Sequence, residues 1–178
     1  MAPRRFHRYR VALDFAAPLP FVYAWCTDYS PADAKLAGED RAIGLARRII
    51  ERTPRRVIFE NVYDEGRGWA WERHTVTLRP PDRWHSDGWG NYHEVHLDYR
   101  LTERPGGGTR FEMRWRSRPA GLARGPPPTR ARVERFVLEL WRRRRSVLER
   151  DYRRLRAARR SRARGGKNLI APADPGEP

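Results

Sequence analysis

One segment of the chain combines large aromatic, basic and acidic side chains at strand spacing. The alternation in residues 68–79 predicts a strand with a different set of side chains on each face. One face carries Trp69, Trp71, Arg73, Thr75 and Thr77. The other face carries Ala70, Glu72, His74, Val76 and Leu78. Periodicity alone does not decide which of the two faces is turned inward.

A second long strand, predicted for residues 92–104, carries two polar aromatic side chains on its apolar face. His93 and Tyr99 alternate in step with Val95, Leu97 and Leu101, so we expect both to point inward. An inward imidazole near Arg73 has the chemistry of a general base. A histidine on an apolar face is also commonly a hydrogen-bonded core residue, and both interpretations of His93 stay open.

The histidines raise the question of a metal site. Four of them, His74, His85, His93 and His96, lie within the same stretch of predicted strands. His93 and His96 are three residues apart and so face opposite sides of a strand, which disfavours a shared ion. The sequence also contains no cysteine pair, no glycine-rich phosphate loop before a helix and no nucleophile elbow. We therefore expect neither a metal ion nor a cofactor.

Arginine is concentrated near the C-terminus. Residues 121–164 contain 16 arginines against 4 acidic residues, which gives +12 of the chain's net charge of +16. A helix with one basic face can bind nucleic-acid phosphates or lie on an anionic membrane. The side chains expected to bind such a polyanion are Arg153, Arg154, Arg156, Arg159 and Arg160. We favour the other interpretation, in which an apolar stripe packs on a sheet and the arginines form its solvated face.

Length and composition favour one globular domain. The chain has 178 residues, of which 39% are apolar. We expect a single ligand-binding domain over residues 1–164 and a disordered tail over residues 165–178. Cys26 is the only cysteine, so an internal disulfide is excluded. No apolar run approaches the ~20 residues of a membrane-spanning helix, and no secretory segment follows Arg4, so we expect a cytoplasmic protein.

The order of predicted elements indicates an α+β fold. A strand over residues 6–15 precedes a short helix that ends near Asp28 and a second short helix from about residue 30 to 38. A long helix over residues 129–163 closes the chain. Between them, six antiparallel strands are predicted for residues 42–53, 55–64, 68–79, 83–89, 92–104 and 109–118. The predicted fold is thus a seven-stranded antiparallel sheet wrapped around a long C-terminal helix.

Two scaffold motifs resemble a known superfamily. Ala17-Pro18, followed by Val22-Tyr23 and Thr27-Asp28, looks like its entry into the first helix. Residues 97–101, followed by the Pro-Gly-Gly-Gly-Thr-Arg-Phe of residues 105–111, look like its penultimate hairpin. Over residues 5–160 the chain resembles the START-related superfamily of birch-pollen-allergen, polyketide cyclase/dehydrase and lipid-transfer proteins. The resemblance implies a helix-grip fold with a cavity between sheet and helix.

The resemblance also implies a set of site residues. The Trp-x-Trp spacing is similar to that of bacterial aromatic polyketide aromatase/cyclases, where tryptophans and an arginine line the cavity. By this parallel Arg73 polarises a carbonyl oxygen of a polyketone, and His93 or Tyr99 assists. The family arginine falls nearer Thr75, which is a departure from the pattern. The residues expected to line the cavity are Trp69, Trp71, Leu97, Met113, Trp115, Phe136 and Leu140.

These observations together predict a binding function. We expect the cavity to hold a small, largely apolar molecule such as a lipid, an isoprenoid or an aromatic polyketide. One alternative is a polyketide cyclase/aromatase or dehydrase-type enzyme that acts in the same cavity without metal or cofactor. The other is binding of nucleic acid or an anionic membrane by the basic helix.

Overall fold

Seven strands form one antiparallel sheet in the computed structural model, which describes residues 5–30, 46–64, 68–121, 123 and 128–165. The order of the strands across the sheet is β1-β7-β6-β5-β4-β3-β2. The strands are β1 (His7–Phe15), β2 (Ala46–Arg52), β3 (Arg56–Asp64), β4 (Trp69–Arg79), β5 (Arg83–Gly90), β6 (His93–Glu103) and β7 (Thr109–Pro119). The helices are α1 (Leu19–Cys26) and α2 (Arg130–Gly165).

The predicted α+β class, the seven antiparallel strands and the long closing helix are confirmed. The number of short helices differs, because the described residues contain one helix after β1 where two were predicted. Apart from Ser30, the second predicted helix lies outside the described residues. The first residues predicted for β2 and almost all of the predicted tail lie outside them as well.

The turn between β6 and β7 depends on glycine. Gly106, Gly107 and Gly108 all have positive φ, a region that other residues rarely adopt. A Cβ at Gly108 would lie only 2.5 Å from the backbone oxygen of Phe15. The turn therefore needs glycine for its backbone conformation and, at Gly108, for the close approach of β1.

The sheet has an inner face that contacts the helices and an outer face that meets solvent. The inner face carries fully buried side chains from several strands, among them Val76, Leu101 and Phe111. Along β7, the inward Phe111, Met113 and Trp115 alternate with outward arginines. The predicted division of this sheet into a buried and a solvated face is confirmed.

Helix α2 lies along the free edge of β1. The backbone N–H of Arg10 donates to Glu134 Oε1 over 2.8 Å, and that of Ala16 donates to Glu149 Oε1 over 3.0 Å. Fifteen helical residues span about 22 Å and six extended residues span about 20 Å, so α2 runs nearly parallel to β1. The two glutamates thus satisfy edge N–H groups that have no partner strand.

An aromatic cluster joins α2 to the sheet. Trp84 stacks on Tyr99 with ring centroids 4.6 Å apart, and Trp141 of α2 lies 4.3 Å from Phe111. Seven residues further along α2, Leu148 is fully buried. These contacts anchor the middle of the helix on β5, β6 and β7.

The C-terminal end of α2 extends beyond the core. Tyr152 is the last residue of the helix that packs against the core, and residues 153–162 are all exposed. Among the described residues, no helix combines the length and the apolar character needed to cross a membrane.

We expect Leu148→Ala to lower the free energy of unfolding by about 2–5 kcal/mol, because it leaves a cavity under α2. The matched control is Leu155→Ala on the same helix, whose side chain is 38% exposed. The control should change stability by less than about 0.5 kcal/mol. Urea unfolding followed by tryptophan fluorescence measures both variants, and equal losses would contradict this account of the core.

Candidate functional site

A cluster of polar side chains lies on the inner face of the sheet. Glu72 of β4 is its centre, with a side chain that is 14% exposed. His93 Nε2 lies 2.7 Å from Glu72 Oε1, and His74 Nε2 lies 3.2 Å from Glu72 Oε2. The hydroxyl of Tyr63 donates to Glu72 Oε1 over 2.8 Å. Three strands therefore contribute to this group, which we call the Glu72 cluster: Tyr63, Glu72, His74 and His93.

The ring of His74 is held on all sides. It stacks on Phe59 with ring centroids 5.0 Å apart, and its Nδ1 lies 3.2 Å from Ser86 Oγ. Gly88 makes room for it, since a Cβ at that position would lie 2.5 Å from the ring. His74 therefore has one fixed orientation, and its other nitrogen faces Glu72.

The environment of Glu72 keeps it ionised. Burial by itself would raise the pKa of Glu72, but hydrogen bonds and positive charge from His74 and His93 hold that pKa far below its ordinary value of 4.5. A buried carboxylate is costly unless it is paired in this way. His93 is the most exposed histidine of the pair, at 37%, so it is the member of the cluster that a bound molecule can reach.

Arg73 does not lie in the interior. Its side chain projects from the outer face and forms an ion pair with Glu60, with 2.7 Å between Arg73 Nη2 and Glu60 Oε1. The expectation that Arg73 acts on a molecule between sheet and helix is therefore wrong. The reason is the alternation of side chains along β4: Ala70, His74 and Val76 occupy the buried face, so Arg73 points to the other side.

Trp69 and Trp71 share the outer face with Arg73. Trp69 is 64% exposed, and Trp71 packs edge-to-face on Trp89 with ring centroids 4.9 Å apart. Their expected role as cavity walls is wrong for the same reason. The inner face of β4 can carry charged side chains because Glu72 and His74 bind each other. The large tryptophans lie on the outer face instead, so side-chain size did not identify which face of β4 is turned inward.

His93 and Tyr99 both point inward, as the alternation predicts. His93 contacts Glu72 rather than Arg73. Tyr99 lies in the aromatic cluster, and burial raises its pKa well above the ordinary value of 10.0. Tyr99 therefore keeps its proton at neutral pH.

The other residues expected to line a cavity divide into two groups. Met113 and Trp115 are buried core residues of β7, and Trp115 stacks on Tyr9. Leu97 is only partly buried on the inner face of β6. On α2, Leu140 is half-buried and Phe136 is 66% exposed.

Phe136 and Leu140 lie on the side of α2 turned away from β1. Glu134 and Glu149 mark the side that faces β1. At 100° per residue, Phe136, Leu140 and Val147 fall on the opposite side. Phe136, Leu140 and Val147 therefore form an open apolar strip on α2, separate from Val133, Val137 and Leu138, which pack on the core.

Two buried polar atoms in this region lack a hydrogen-bond partner among the described residues. They are the hydroxyl of Tyr23 and Nε of Arg144. The guanidinium of Arg144 lies 5.1 Å from the Trp141 ring centroid, and Tyr23 packs edge-to-face on Trp84. Both groups therefore lie beside the aromatic cluster.

Sequence reasoning missed Glu72, Tyr63 and Arg144. The spacing of Glu72 and His74 was visible, since residues two apart share a face. Their contact with His93 depends on the pairing of β4, β5 and β6, which local patterns do not fix.

The outer face holds two further histidines, one on β5 and one on β6. His85 and His96 lie there with Asp87, so His93 and His96 do face opposite sides of β6. Next to them is a surface depression of about 420 Å³ that is lined mainly by arginines and acidic side chains.

The five arginines expected to bind a polyanion lie on the exposed C-terminal end of α2. Arg153, Arg154, Arg156, Arg159 and Arg160 are all exposed. Arg156 also lies over Tyr152, with 5.8 Å between its guanidinium carbon and the ring centroid.

We expect Glu72→Gln to remove a pH-dependent part of the stability. Because the pKa of Glu72 is depressed by folding, its contribution is present above the unfolded value near 4.5 and is lost as the pH falls below it. The wild-type protein should exceed the variant by about 2 kcal/mol at pH 7 and by much less at pH 3. Urea unfolding at both pH values measures this difference. Glu103→Gln, at an exposed position on β6, should show no such change, and a pH-independent difference for Glu72→Gln would contradict the assignment.

Comparison with known proteins gives matches at the level of structure. No family model matches the sequence, and no curated protein matches it. Ara h 8.0201 matches with a TM-score of 0.59 and 12% identity, over 82% of this chain and 96% of that protein. The ZhuI aromatase/cyclase from Streptomyces sp. R1128 matches with a TM-score of 0.56 and 16% identity, over 86% and 98% of the two chains.

A START superfamily protein from Mycobacterium smegmatis has the same architecture. It matches with a TM-score of 0.56 and 11% identity, over 84% of this chain and 99% of that protein. At these identities the likeness concerns the fold, and it agrees with the element order and strand order described above. The architecture that the sequence predicts is thus confirmed, and the chain shares the fold of these three proteins.

Proposed function

We propose that the chain binds a small, largely apolar molecule between α2 and the inner face of the sheet. The observation that carries this proposal is Phe136, a large apolar side chain on the side of α2 turned away from β1, which is 66% exposed. A large apolar side chain in this position loses contact with water when an apolar molecule binds beside it. Helix-grip folds typically bind ligands at this place.

The polar groups beside the aromatic cluster suggest that the bound molecule carries an oxygen acceptor. Arg144 Nε–H is a buried donor without a partner among the described residues, and Tyr23 Oη is a second such group. A carbonyl or carboxylate oxygen of the ligand would satisfy a donor of this kind. His93, held by Glu72, offers a further polar contact. The lipid, isoprenoid or polyketide classes all include molecules of this type.

The position of Arg73 favours a binding function over a catalytic one. The cyclase-type alternative assigned the central role to Arg73, which lies on the outer face and pairs with Glu60. Burial raises the pKa of Tyr99 well above its ordinary value of 10.0, so Tyr99 stays protonated at neutral pH. The inner residue left for acid–base chemistry is His93, oriented by Glu72 as general bases are oriented in other sites.

We expect Phe136→Ala to weaken binding of a neutral apolar probe, N-phenyl-1-naphthylamine, by about tenfold, the loss of roughly 1.4 kcal/mol of apolar contact. Probe fluorescence on titration with protein measures the affinity. Leu155→Ala, which removes another exposed apolar side chain from α2, is the matched control and should bind like the wild type. Equal affinities for all three proteins would contradict the proposed site.

A second function is favoured by the exposed end of α2. Residues 153–162 contain six arginines and lie beyond the last core contact of the helix, at Tyr152. Leu155 is the one large apolar side chain in this stretch, so the end of α2 lacks the apolar face of a membrane-bound helix. We propose that it binds the phosphate backbone of nucleic acid without sequence preference.

We expect the triple variant Arg156→Gln, Arg159→Gln and Arg160→Gln to lower the slope of log affinity against log salt by about 3, since each phosphate contact contributes about 0.9. Fluorescence anisotropy with a labelled DNA duplex between 50 and 300 mM KCl would measure it. The control neutralises three exposed arginines elsewhere, Arg8, Arg48 and Arg55. Equal slopes for both triple variants would contradict a site on α2, as would binding to anionic vesicles but not to DNA.

A further inference from the structure

Two histidines and an aspartate meet on the outer face of the sheet. His85 and Asp87 lie two residues apart on β5, and His96 of β6 is paired with Asp87 in the strand register. Asp87 Oδ1 lies 2.8 Å from His85 Nε2 and 2.6 Å from His96 Nδ1. All three ligand atoms lie within 4.8 Å of one another. One carboxylate oxygen is thus approached by imidazole nitrogens from two strands.

Two further carboxylates, one for each ring, contact the ring nitrogens that face away from Asp87. His85 Nδ1 lies 2.7 Å from Asp98 Oδ1, and His96 Nε2 lies 3.2 Å from Glu94 Oε1. Each of these carboxylates accepts a hydrogen bond from the nitrogen it faces, which directs the second nitrogen of each ring toward Asp87. Carboxylates orient histidine ligands in this way at metal centres.

We propose that His85, Asp87 and His96 bind a Zn²⁺ ion, with a fourth coordination position open to solvent. Two imidazoles and one carboxylate are a donor set that zinc uses at sites with an open position. A Zn²⁺ ion among the three groups replaces the hydrogen bonds between the rings and Asp87 with coordination bonds to the imidazole lone pairs and the carboxylate. Asp87 is 51% exposed, so solvent reaches the site.

Two of the three ligand spacings, those from Asp87 Oδ1 to each histidine, require only a small adjustment. With zinc bonds of about 2.0–2.1 Å, tetrahedral ligand atoms lie about 3.3 Å apart. The two contacts of Asp87 Oδ1 are shorter than this by roughly half an ångström, so the carboxylate has to move outward to admit the ion. Its exposed side chain is free of the packing that would resist such a shift.

The neighbouring arginines of β7 each contact a partner side chain. Arg118 binds Glu94 through Nε over 2.7 Å. The guanidinium of Arg116 lies over Phe6, 5.1 Å from the ring centroid, and Arg114 lies 3.8 Å from a Glu112 oxygen. Among the described residues, Asp87 and Asp98 form ion pairs with the histidines alone, so these two carboxylates set the local charge and the site favours a cation.

This site was not predicted from the sequence, because the only shared ion considered for His96 was one with His93 on the same strand. The partner of His96 is His85 on the neighbouring strand, and the register that joins them is set by the pairing of β5 with β6. The expectation of no metal ion is replaced by this proposal.

Titration of the untagged, chelator-treated full chain with Zn²⁺ by calorimetry tests the proposal. We expect one ion per chain, an affinity about 100-fold weaker or undetectable in His85→Ala and His96→Ala, and a loss of about 10- to 100-fold in Asp98→Asn, the effect typical of groups that orient a ligand. His7→Ala removes an exposed histidine outside the site and is the matched control. Absence of binding in the wild type, or equal affinity in all variants, overturns the proposal.

A second readout does not depend on the folding of the alanine variants. Loading the wild-type protein with Co²⁺ in place of Zn²⁺ should give the intense visible absorption of a four- or five-coordinate ion. The weak spectrum of six-coordinate Co²⁺ would overturn the proposed geometry. Circular dichroism of each variant confirms that a loss of affinity is not a loss of fold.

Discussion

The alignment of α2 with the free edge of β1 is the constraint on which the rest of the structure depends. Glu134 and Glu149 accept hydrogen bonds from backbone N–H groups at two points on that edge, and Trp141 packs on Phe111 between them. The helix is therefore committed to the β1 side of the sheet. Its opposite side, with Phe136 and Leu140, is left open and does not pack on the core. The candidate binding region follows from where the helix is held, rather than from any one residue within it.

The sheet places a polar cluster on each of its faces, and the two differ in how they are satisfied. On the inner face, Glu72 is buried and accepts from Tyr63 and two histidines, so its charge is fully compensated inside the protein. On the outer face, Asp87 lies between two imidazoles and is half exposed. Burial makes the first arrangement a fixed part of the core. Exposure leaves the second able to exchange protons or ions with solvent.

Much of the architecture could be predicted from local patterns, because strand alternation and turn residues act over a few positions. The alternation of Phe111, Met113 and Trp115 identified the buried face of β7, and the glycines after Pro105 identified the turn before it. The same reasoning failed on β4, where both faces carry large or polar side chains. There the inner face is recognised only when Glu72 and His74 are seen to pair with residues of β3, β5 and β6. The missed site residues of the strands all depend on such cross-strand pairing, which no single segment encodes.

The exposed end of α2 also has a consequence for its own folding. Beyond Tyr152 the helix gains little from packing, so its backbone hydrogen bonds must be maintained by local propensity. Arginine favours a helix, but the pairs Arg156–Arg160 and Arg153–Arg156 place like charges on adjacent turns, where they repel. A multivalent anion that bridges these turns removes the repulsion and stabilises the helix in the same step. The helical content of this segment is therefore linked thermodynamically to the occupancy of its charges, and each reports on the other.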